Sequence, residues 1–310
     1  MDSPVTIPIL TSREIRVLHL ESSDVCQAAC PACARETDPN FDKSSKHNLS
    51  PDQLQSLLPQ DFVQALDKMF MCGNYGDPAA NQLTLRIYRW FRSINPNIVL
   101  GMNTNGGLQN TFWWHELAQI LNQPRDYVVF SIDGLEDTNS DYRIGVQWAK
   151  VMANAEAFIS NGGSAHWDML VYRHNEHQVN ACETLARDMG FKWFRAKVSK
   201  RPLQGRLQVP ITWQAPVMHA TRIDCHALRE QSLYIDARGR ISPCCWLGSR
   251  QQDFVSDIKQ VEVTWNTPTP NPTCVQACGV GDSQSNFQAQ WRREVDLSEI
   301  SRSDMAAVTT

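Results

Sequence analysis

The sequence predicts an α/β fold: a partial (β/α)6 barrel of parallel strands, followed by a small cysteine-rich extension built on a β-hairpin. Three observations predict it. Short apolar runs alternate six times with helical patterns along the first part of the chain, the signature of repeated βα units. Two of those helical patterns close on a glycine, Gly162 and Gly190, as helices leading into a strand commonly do. The last third carries five cysteines around a run, LYIDARGRISPCCW, that reads as two short strands turning at Ala237-Arg238-Gly239.

Taken in order, residues 14–20 (EIRVLHL) read as the first strand and deliver a cysteine loop at its carboxyl end. A helix over 51–58 follows behind the Ser50 cap. The second strand is 68–72, the third 97–102, the fourth 127–132, the fifth 166–172 and the sixth 192–198; the intervening helices are 80–94, 111–121, 147–160 and 178–189. In parallel α/β sheets and barrels ligands bind at the carboxyl ends of the strands, so chemistry is sought in the loops after each strand. The expected division is a barrel over 1–205, a cysteine-rich unit over 206–282, and a helix and tail over 283–310, with an amphipathic QAQWRREV segment.

Composition fits a soluble globular chain, with a net charge of -4 and 42% hydrophobic residues. No apolar run approaches the length of about 20 residues that spans a bilayer, and no basic stripe suits a nucleic-acid duplex. Ten cysteines with no signal peptide ahead of them are expected of a reducing compartment, the cytoplasm. Trp113, Trp114, Trp148, Trp167 and Trp193 fall in elements that need large apolar groups.

The run CQAACPAC holds Cys26, Cys30 and Cys33. Three thiolates on one short loop can bind three irons of a cubane [4Fe-4S] cluster and leave the fourth open to a small molecule. A zinc site pairs CxxC with a second CxxC or a His pair, whereas the nearest candidate here is His47 and the next cysteine is Cys72. A disulfide framework is the other reading, and 10 cysteines in 310 residues is far below the density of a small secreted scaffold.

This spacing resembles the signature of the radical S-adenosylmethionine superfamily, with all three ligands matched. The resemblance implies a TIM-like partial barrel, S-adenosylmethionine chelated by the open iron, and its cleavage to a 5'-deoxyadenosyl radical. One position departs: the residue before the last cysteine, often aromatic in the family, is Ala32. After the second strand, Gly73-Asn74-Tyr75-Gly76-Asp77-Pro78 resembles the GGEP segment that meets the cofactor's amino group, with Asp77 in place of glutamate; by itself it also reads as a plain strand-to-helix turn. After the third, Asn103-Thr104-Asn105-Gly106-Gly107 is similar to the TNG segment, which implies Asn or Thr side chains near the ribose or a substrate. After the fourth, Ser131-Ile132-Asp133-Gly134 leading to Asp141-Tyr142-Arg143 resembles the SIDG…YR stretch of the peptide-modifying and sulfatase-maturing branch. That implies Ser131 and Arg143 at the cofactor carboxylate, a task suited to a forked guanidinium. Asp133 either joins that contact or serves as the turn former.

In the last third, Cys225 is followed by 13 residues, Gly239, four residues and Cys244, and Cys274 and Cys278 stand in PTCVQACG. A hairpin bearing a ligand plus a short cysteine turn can close a four-thiolate site for zinc or an iron-sulfur cluster alike. The pattern is similar to the SPASM and twitch extensions of the same superfamily, which hold auxiliary [4Fe-4S] clusters. A full SPASM extension has seven cysteines and this region five, so the resemblance implies the shorter twitch form, with one auxiliary cluster on Cys225, Cys244, Cys274 and Cys278. Cys245 is a buried thiol or a substitute for Cys244, and Cys72 and Cys182 are expected to be buried structural thiols.

The function so implied is hydrogen-atom removal from a C–H bond, for oxidation or cross-linking of a peptide or protein side chain. Dehydrogenation or other radical modification of a sugar, aminocyclitol or nucleoside is the second reading, and a non-catalytic iron-sulfur electron carrier or sensor the third. The first strand begins at residue 14, which leaves no room ahead of it for a fused leader-peptide domain and weighs against the peptide reading. The implied electron donor is a flavodoxin or ferredoxin; no nucleic-acid or membrane partner is expected. His174 and His177, on the loop after the fifth strand, are candidates for handling substrate.

Overall fold

The computed structural model describes residues 10–199, 205–211, 222–250, 254–261, 271–280 and 292–297. Six strands run in sequence order, each parallel to the next: β1 (Val17–Leu20), β2 (Lys68–Met71), β3 (Val99–Thr104), β4 (Tyr127–Ser131), β5 (Ala165–Val171) and β6 (Trp193–Val198). Between β1 and β2 stand α1 (Ala34–Thr37), α2 (Pro51–Leu57) and α3 (Gln60–Gln64). The later crossovers carry α4 (Thr84–Ile94), α5 (Thr111–Ile120), α6 (Asn139–Tyr142), α7 (Trp148–Ser160) and α8 (Val179–Asp188). This is the open α/β barrel that the alternation predicts. Gly162 and Gly190 follow α7 and α8 with φ of +87° and +85°, a conformation that costs glycine little.

Two expected boundaries move for local reasons. The first strand is shorter than 14–20 because Ser12–Glu14 form a 3-10 turn, closed by the Thr11 amide donating to Glu14 Oε2 at 2.7 Å. The helix expected from residue 80 starts at Thr84 because Asp77 caps a separate turn, Pro78–Ala80, by accepting from the Ala79 amide at 2.9 Å.

Strand alternation gives the sheet two faces. Outward, Phe130 packs on Trp114 and Phe191, and Trp167 on Phe191, at ring separations of 5.1–5.9 Å. The apolar core therefore lies between sheet and helices, with Trp114 and Trp167 wholly buried as expected. Inward, the residues are mixed: His19 stacks on Phe70, Tyr127 on His166, and Lys68 lies over the Tyr127 ring. This inner wall, unlike the outer face, is not a purely apolar core.

The C-terminal third adds β7 (Arg222–Ile223), α9 (His226–Arg229), β8 (Ser232–Ile235), β9 (Ile241–Ser242), α10 (Cys245–Gly248), α11 (Pro272–Cys278), β10 (Gly279–Val280) and β11 (Arg292–Asp296). The expected hairpin is β8–β9; its turn closes on Asp236, whose Oδ1 accepts from the Arg238 and Arg240 amides at 3.0 and 2.8 Å. It does not stand apart from the barrel. β8 pairs in parallel with the free edge of β1, Leu18 opposite Leu233, so one nine-stranded sheet runs β11-β6-β5-β4-β3-β2-β1-β8-β9. The helix expected over 283–310 is corrected at Arg292–Asp296, a strand antiparallel to β6. The charges of that segment fit helical spacing, but the open edge of β6 offers backbone pairing that overrides local propensity. The rest of that expected helix lies outside the described residues. Among the described residues no helix is long and apolar enough to cross a membrane.

Candidate active site

The loop after β1 brings the three cysteines together. Cys30 is buried, Cys26 and Cys33 are half-buried, and Cys33 opens α1 as its N-cap residue. Burial pushes the Cys26 thiol up to about 12, and the charges of Asp77, Cys30 and Cys33 push the same way. Burial also raises Cys30, against the pull of the Arg143 guanidinium. Buried thiols of this kind ionise when a strong cation binds them. Each sulfur has a neighbour of its own: Cys26 Sγ accepts from the Ala28 amide (3.4 Å) and Asn105 Nδ2 (3.6 Å), Cys30 Sγ lies 3.8 Å from Arg143 Nη1, and Cys33 Sγ donates to the Asn74 carbonyl (3.5 Å). Three soft donors on one loop, with N–H groups at two of the sulfurs, fit an iron-sulfur cluster of the open type.

The turn after β2 packs tightly on that loop. A Cβ on Gly76 would stand 2.0 Å from the Ser23 carbonyl oxygen, so only glycine lets the two segments pass. Asp77 lies beneath, 4% exposed, and its carboxylate accepts from Thr104 Oγ1 (2.9 Å), the Asn105 amide (2.8 Å) and Asn105 Nδ2 (2.7 Å). It therefore clamps the second loop to the third, rather than presenting a free oxygen. The Tyr75 ring turns away from the sulfurs and stacks on Phe41 at 4.3 Å, with its hydroxyl donating to Asp38 at 2.7 Å. Of the residues expected in this turn, Gly73, Asn74 and Gly76 line the loop by backbone, while the Tyr75 side chain serves packing. In the third loop, Asn103 is half-buried on the inner wall, and Asn105 is tied to Gln27 Nε2 at 2.7 Å.

Ser131 ends β4 on the inner wall, half-buried. Asp133 is wholly buried; its Oδ2 accepts from Arg143 Nε at 2.6 Å and its Oδ1 from the Leu170 amide at 2.5 Å. Burial opposes the Arg143 charge, but Asp133 and then Cys30 more than offset this and hold it protonated. Asp133 is thus the support that aims the guanidinium at Cys30, and not itself a surface for ligand.

No family model matches this chain, and no curated protein matches it in sequence. Solved structures do match. Streptococcus suis SuiB bound to S-adenosylmethionine superposes with a TM-score of 0.58 at 13% identity, over 84% of this chain and 67% of SuiB. Histidine-tagged anSMEcpe with bound S-adenosylmethionine superposes with a TM-score of 0.60 at 14% identity, over 85% of this chain and 80% of that one. The chain shares the fold of these two structures, each solved with S-adenosylmethionine bound. The chain spans about two thirds of the length of SuiB.

Within this shared fold, the C-terminal cysteines form a second group. Cys225 caps α9 and Cys244 caps α10, while Cys274 and Cys278 lie on α11, which packs against α10 and β7. Burial pushes Cys244 up to about 12, with the Leu247 and Trp246 amides opposing and Cys225 and Cys274 adding. Burial also raises Cys225, which the Leu228 and Ala227 amides oppose and Cys278 reinforces. Cys244 thus lies near Cys225 and Cys274, and Cys225 near Cys278. Cys245, next to Cys244 in the chain, adds to the burial that raises the Tyr234 hydroxyl. Among the described residues no three His, Cys, Asp or Glu side chains are gathered closely enough to hold a single ion.

Sequence reasoning missed the polar network that joins the two groups. Asn74, whose carbonyl meets Cys33, sends its side-chain amide to Tyr234 Oη (3.1 Å) and to the Cys245 carbonyl (3.0 Å). Tyr234 in turn donates to Glu21, whose other oxygen accepts from the Tyr75 and Gly76 amides at 2.7 and 3.1 Å. Glu21 is 1% exposed, and burial raises its carboxyl to about 7. A carboxyl with a raised folded-state value binds its proton more tightly folded than unfolded, so its contribution to stability is lost as pH rises from about 4.5 through about 7. Glu21→Gln is expected to flatten that part of the stability profile, measured by urea unfolding at pH 5 and pH 8; an unchanged slope would place the titration elsewhere. His174 stacks on Tyr172 at 5.6 Å with its Nε2 buried and without a partner, while His177 is exposed. Cys72 is half-buried just past β2, on the inner wall, and Cys182 is buried in α8.

Proposed function

We propose that this chain is an enzyme that removes a hydrogen atom from a substrate C–H bond by radical S-adenosylmethionine chemistry. The observation that carries the reading is the gathering of Cys26, Cys30 and Cys33 on the loop after β1, with Arg143 aimed at Cys30 by Asp133. Those three residues would hold a [4Fe-4S] cluster with one iron open; when bound, cluster and cofactor supply reductive cleavage to a 5'-deoxyadenosyl radical. The chain's own residues orient and shield. Arg143 keeps N–H donors for a carboxylate after Asp133 takes its Nε. Ser131 offers a hydroxyl on the same wall. The clamp of Asp77 on Thr104 and Asn105 fixes the second and third loops around the sulfurs.

Two finer parts of the reading have separate support. SuiB bound to its precursor peptide SuiA and anSMEcpe bound to a Cp18Cys peptide share the fold, which favours a peptide or protein side chain as the substrate. Cys225, Cys244, Cys274 and Cys278 would hold an auxiliary cluster, a reading supported by the electrostatic coupling of Cys244 to Cys225 and Cys274 and of Cys225 to Cys278. Anaerobically reconstituted protein given S-adenosylmethionine and dithionite is expected to release 5'-deoxyadenosine, and a fully iron-loaded sample that releases none overturns the reading. Arg143→Lys keeps the charge and loses the fork, so the cofactor is expected to bind at least about tenfold more weakly, at a cost of about 1.4 kcal/mol, with cluster absorbance intact. Unchanged affinity would move Arg143 to a purely structural role.

A further inference from the structure

The polar network behind the cysteine loop converges on one peptide group. Its carbonyl belongs to Asn74 and accepts from Cys33 Sγ at 3.5 Å; its N–H belongs to Tyr75 and donates to Glu21 Oε1 at 2.7 Å. A single amide dipole therefore stands between a buried carboxylate and a sulfur of the three-cysteine loop, with its negative end at the sulfur. The Gly76 amide donates to the same Glu21 oxygen at 3.1 Å, and Tyr234 Oη donates to the other. Tyr234 Oη accepts in turn from Asn74 Nδ2 at 3.1 Å, so Glu21 holds Asn74 by the backbone and, through Tyr234, by the side chain. Metal binding takes the proton of Cys33, and the orientation of the peptide then rests on these partners.

Charge on Glu21 reaches the sulfur for two reasons. A negative carboxylate pulls on the Tyr75 N–H and sharpens the dipole that faces Cys33, and a buried charge is little screened by salt. Net charge and hydrogen bonding around the sulfurs set how readily an iron-sulfur centre takes an electron. Beside Glu21 lies a cavity of about 20 Å³, room for one water, whose lining includes Asp24, Asp236 and the exposed Arg238. The carboxyl can thus exchange its proton with solvent, and burial brings that exchange to about 7. Its ionisable neighbours come from three segments. On β1 and its loop stand His19, pushed down by burial to about 4, and Asp24, which accepts from Ser45 Oγ and the His47 amide. On the turn after β2 stands Tyr75, whose hydroxyl burial and Asp38 raise. On the hairpin stand Tyr234, raised by burial and by Glu21, and Asp236, which accepts from Arg240 Nε at 2.8 Å; beyond them, Cys245 of α10 adds to the rise of Tyr234.

Resting on the reading of the three-cysteine loop as an iron-sulfur site, we propose that Glu21 is a positioning residue that governs electron uptake there through the 74–75 peptide: ionised it opposes the electron, protonated it admits it. The electron comes from a donor of the flavodoxin or ferredoxin class, dithionite in the test, and the proton passes from solvent to a Glu21 oxygen, so that one of each is taken up together. Redox titration of the anaerobically reconstituted full chain, followed by electron paramagnetic resonance between about pH 6 and about pH 9, tests this. The centre is identified by the signal missing when Cys26, Cys30 and Cys33 are alanine. The wild-type potential is expected to fall across this range by at least about 59 mV, tenfold in a one-electron equilibrium. Glu21→Gln keeps the shape and removes the charge, and its potential is expected to stay near the wild-type value at the low-pH end throughout. Tyr234→Phe keeps the carboxylate but takes away a donor to its ionised form, so the fall is expected to move to higher pH. Iron content and melting temperature are recorded for all, and if Glu21→Gln fails to hold its iron, the displaced fall in Tyr234→Phe decides. A wild-type potential that does not change with pH, equal potentials for wild type and Glu21→Gln at the high-pH end, or an unmoved fall in Tyr234→Phe overturns the proposal. Release of 5'-deoxyadenosine on the same samples separates the two readings: a wild-type potential that follows Glu21 with none released overturns the enzymatic reading and leaves the role of Glu21 standing.

Discussion

Replacing Cys26, Cys30 and Cys33 together by alanine is expected to abolish 5'-deoxyadenosine formation and to lower the iron content from about eight to about four per chain, the count for two cubanes reduced to one. The expectation follows from the two separate groups of thiols. The loop after β1 carries three, the C-terminal elements carry the four proposed for the auxiliary cluster, and no cysteine is shared between them. Iron analysis and chromatography of the anaerobically reconstituted variant give both readouts. A triple variant that keeps all its iron and still cleaves the cofactor would show that the catalytic loop has been assigned wrongly.

Changing Cys274 and Cys278 to alanine is expected to act differently: product formation is lost, while some cleavage of the cofactor continues without it. The three-cysteine loop retains every contact made by its own sulfurs except through Asn74, whose amide rests on the Cys245 carbonyl. Metal binding and folding are coupled in small cysteine-built elements, so solubility and residual iron are measured beside activity. If wild-type protein purified without oxygen carries stoichiometric zinc and only one cluster's worth of iron, the auxiliary-cluster reading fails and the element is a structural zinc module.

The barrel was legible because its signals are local. Short apolar runs such as YVVFS and the glycines after α7 and α8 mark elements without reference to anything distant. The three sulfurs were legible for the same reason, sitting within eight residues of one another. What could not be read is pairing across the chain. Nothing in SLYI says that it completes the edge of β1, and nothing in RREVD says that it will lie on β6 as a strand. The same holds for side chains whose partners come from far off. Asn74 reads as a turn residue, yet its amide reaches Tyr234 and Cys245; Tyr75 reads as part of a cofactor segment, yet Phe41 draws its ring away. Asp77 and Asp133 were found as residues of the site, but their service as supports, one to a loop and one to an arginine, appears only once their buried oxygens have been traced to their donors.

The pairing of β8 with β1 also sets the order in which the molecule can be completed. β1 finds β2 early, but the partner for its other edge lies more than 200 residues further along. At about 5–20 residues per second, a ribosome leaves that edge bare for on the order of ten to forty seconds. Through that interval the cysteine loop already exists on a strand with one side unpaired, and an open edge is a template for wrong partners. The last piece of support for the first sulfur centre is thus among the last to be made, and until the hairpin arrives that edge is where the nascent barrel is most open to wrong pairing.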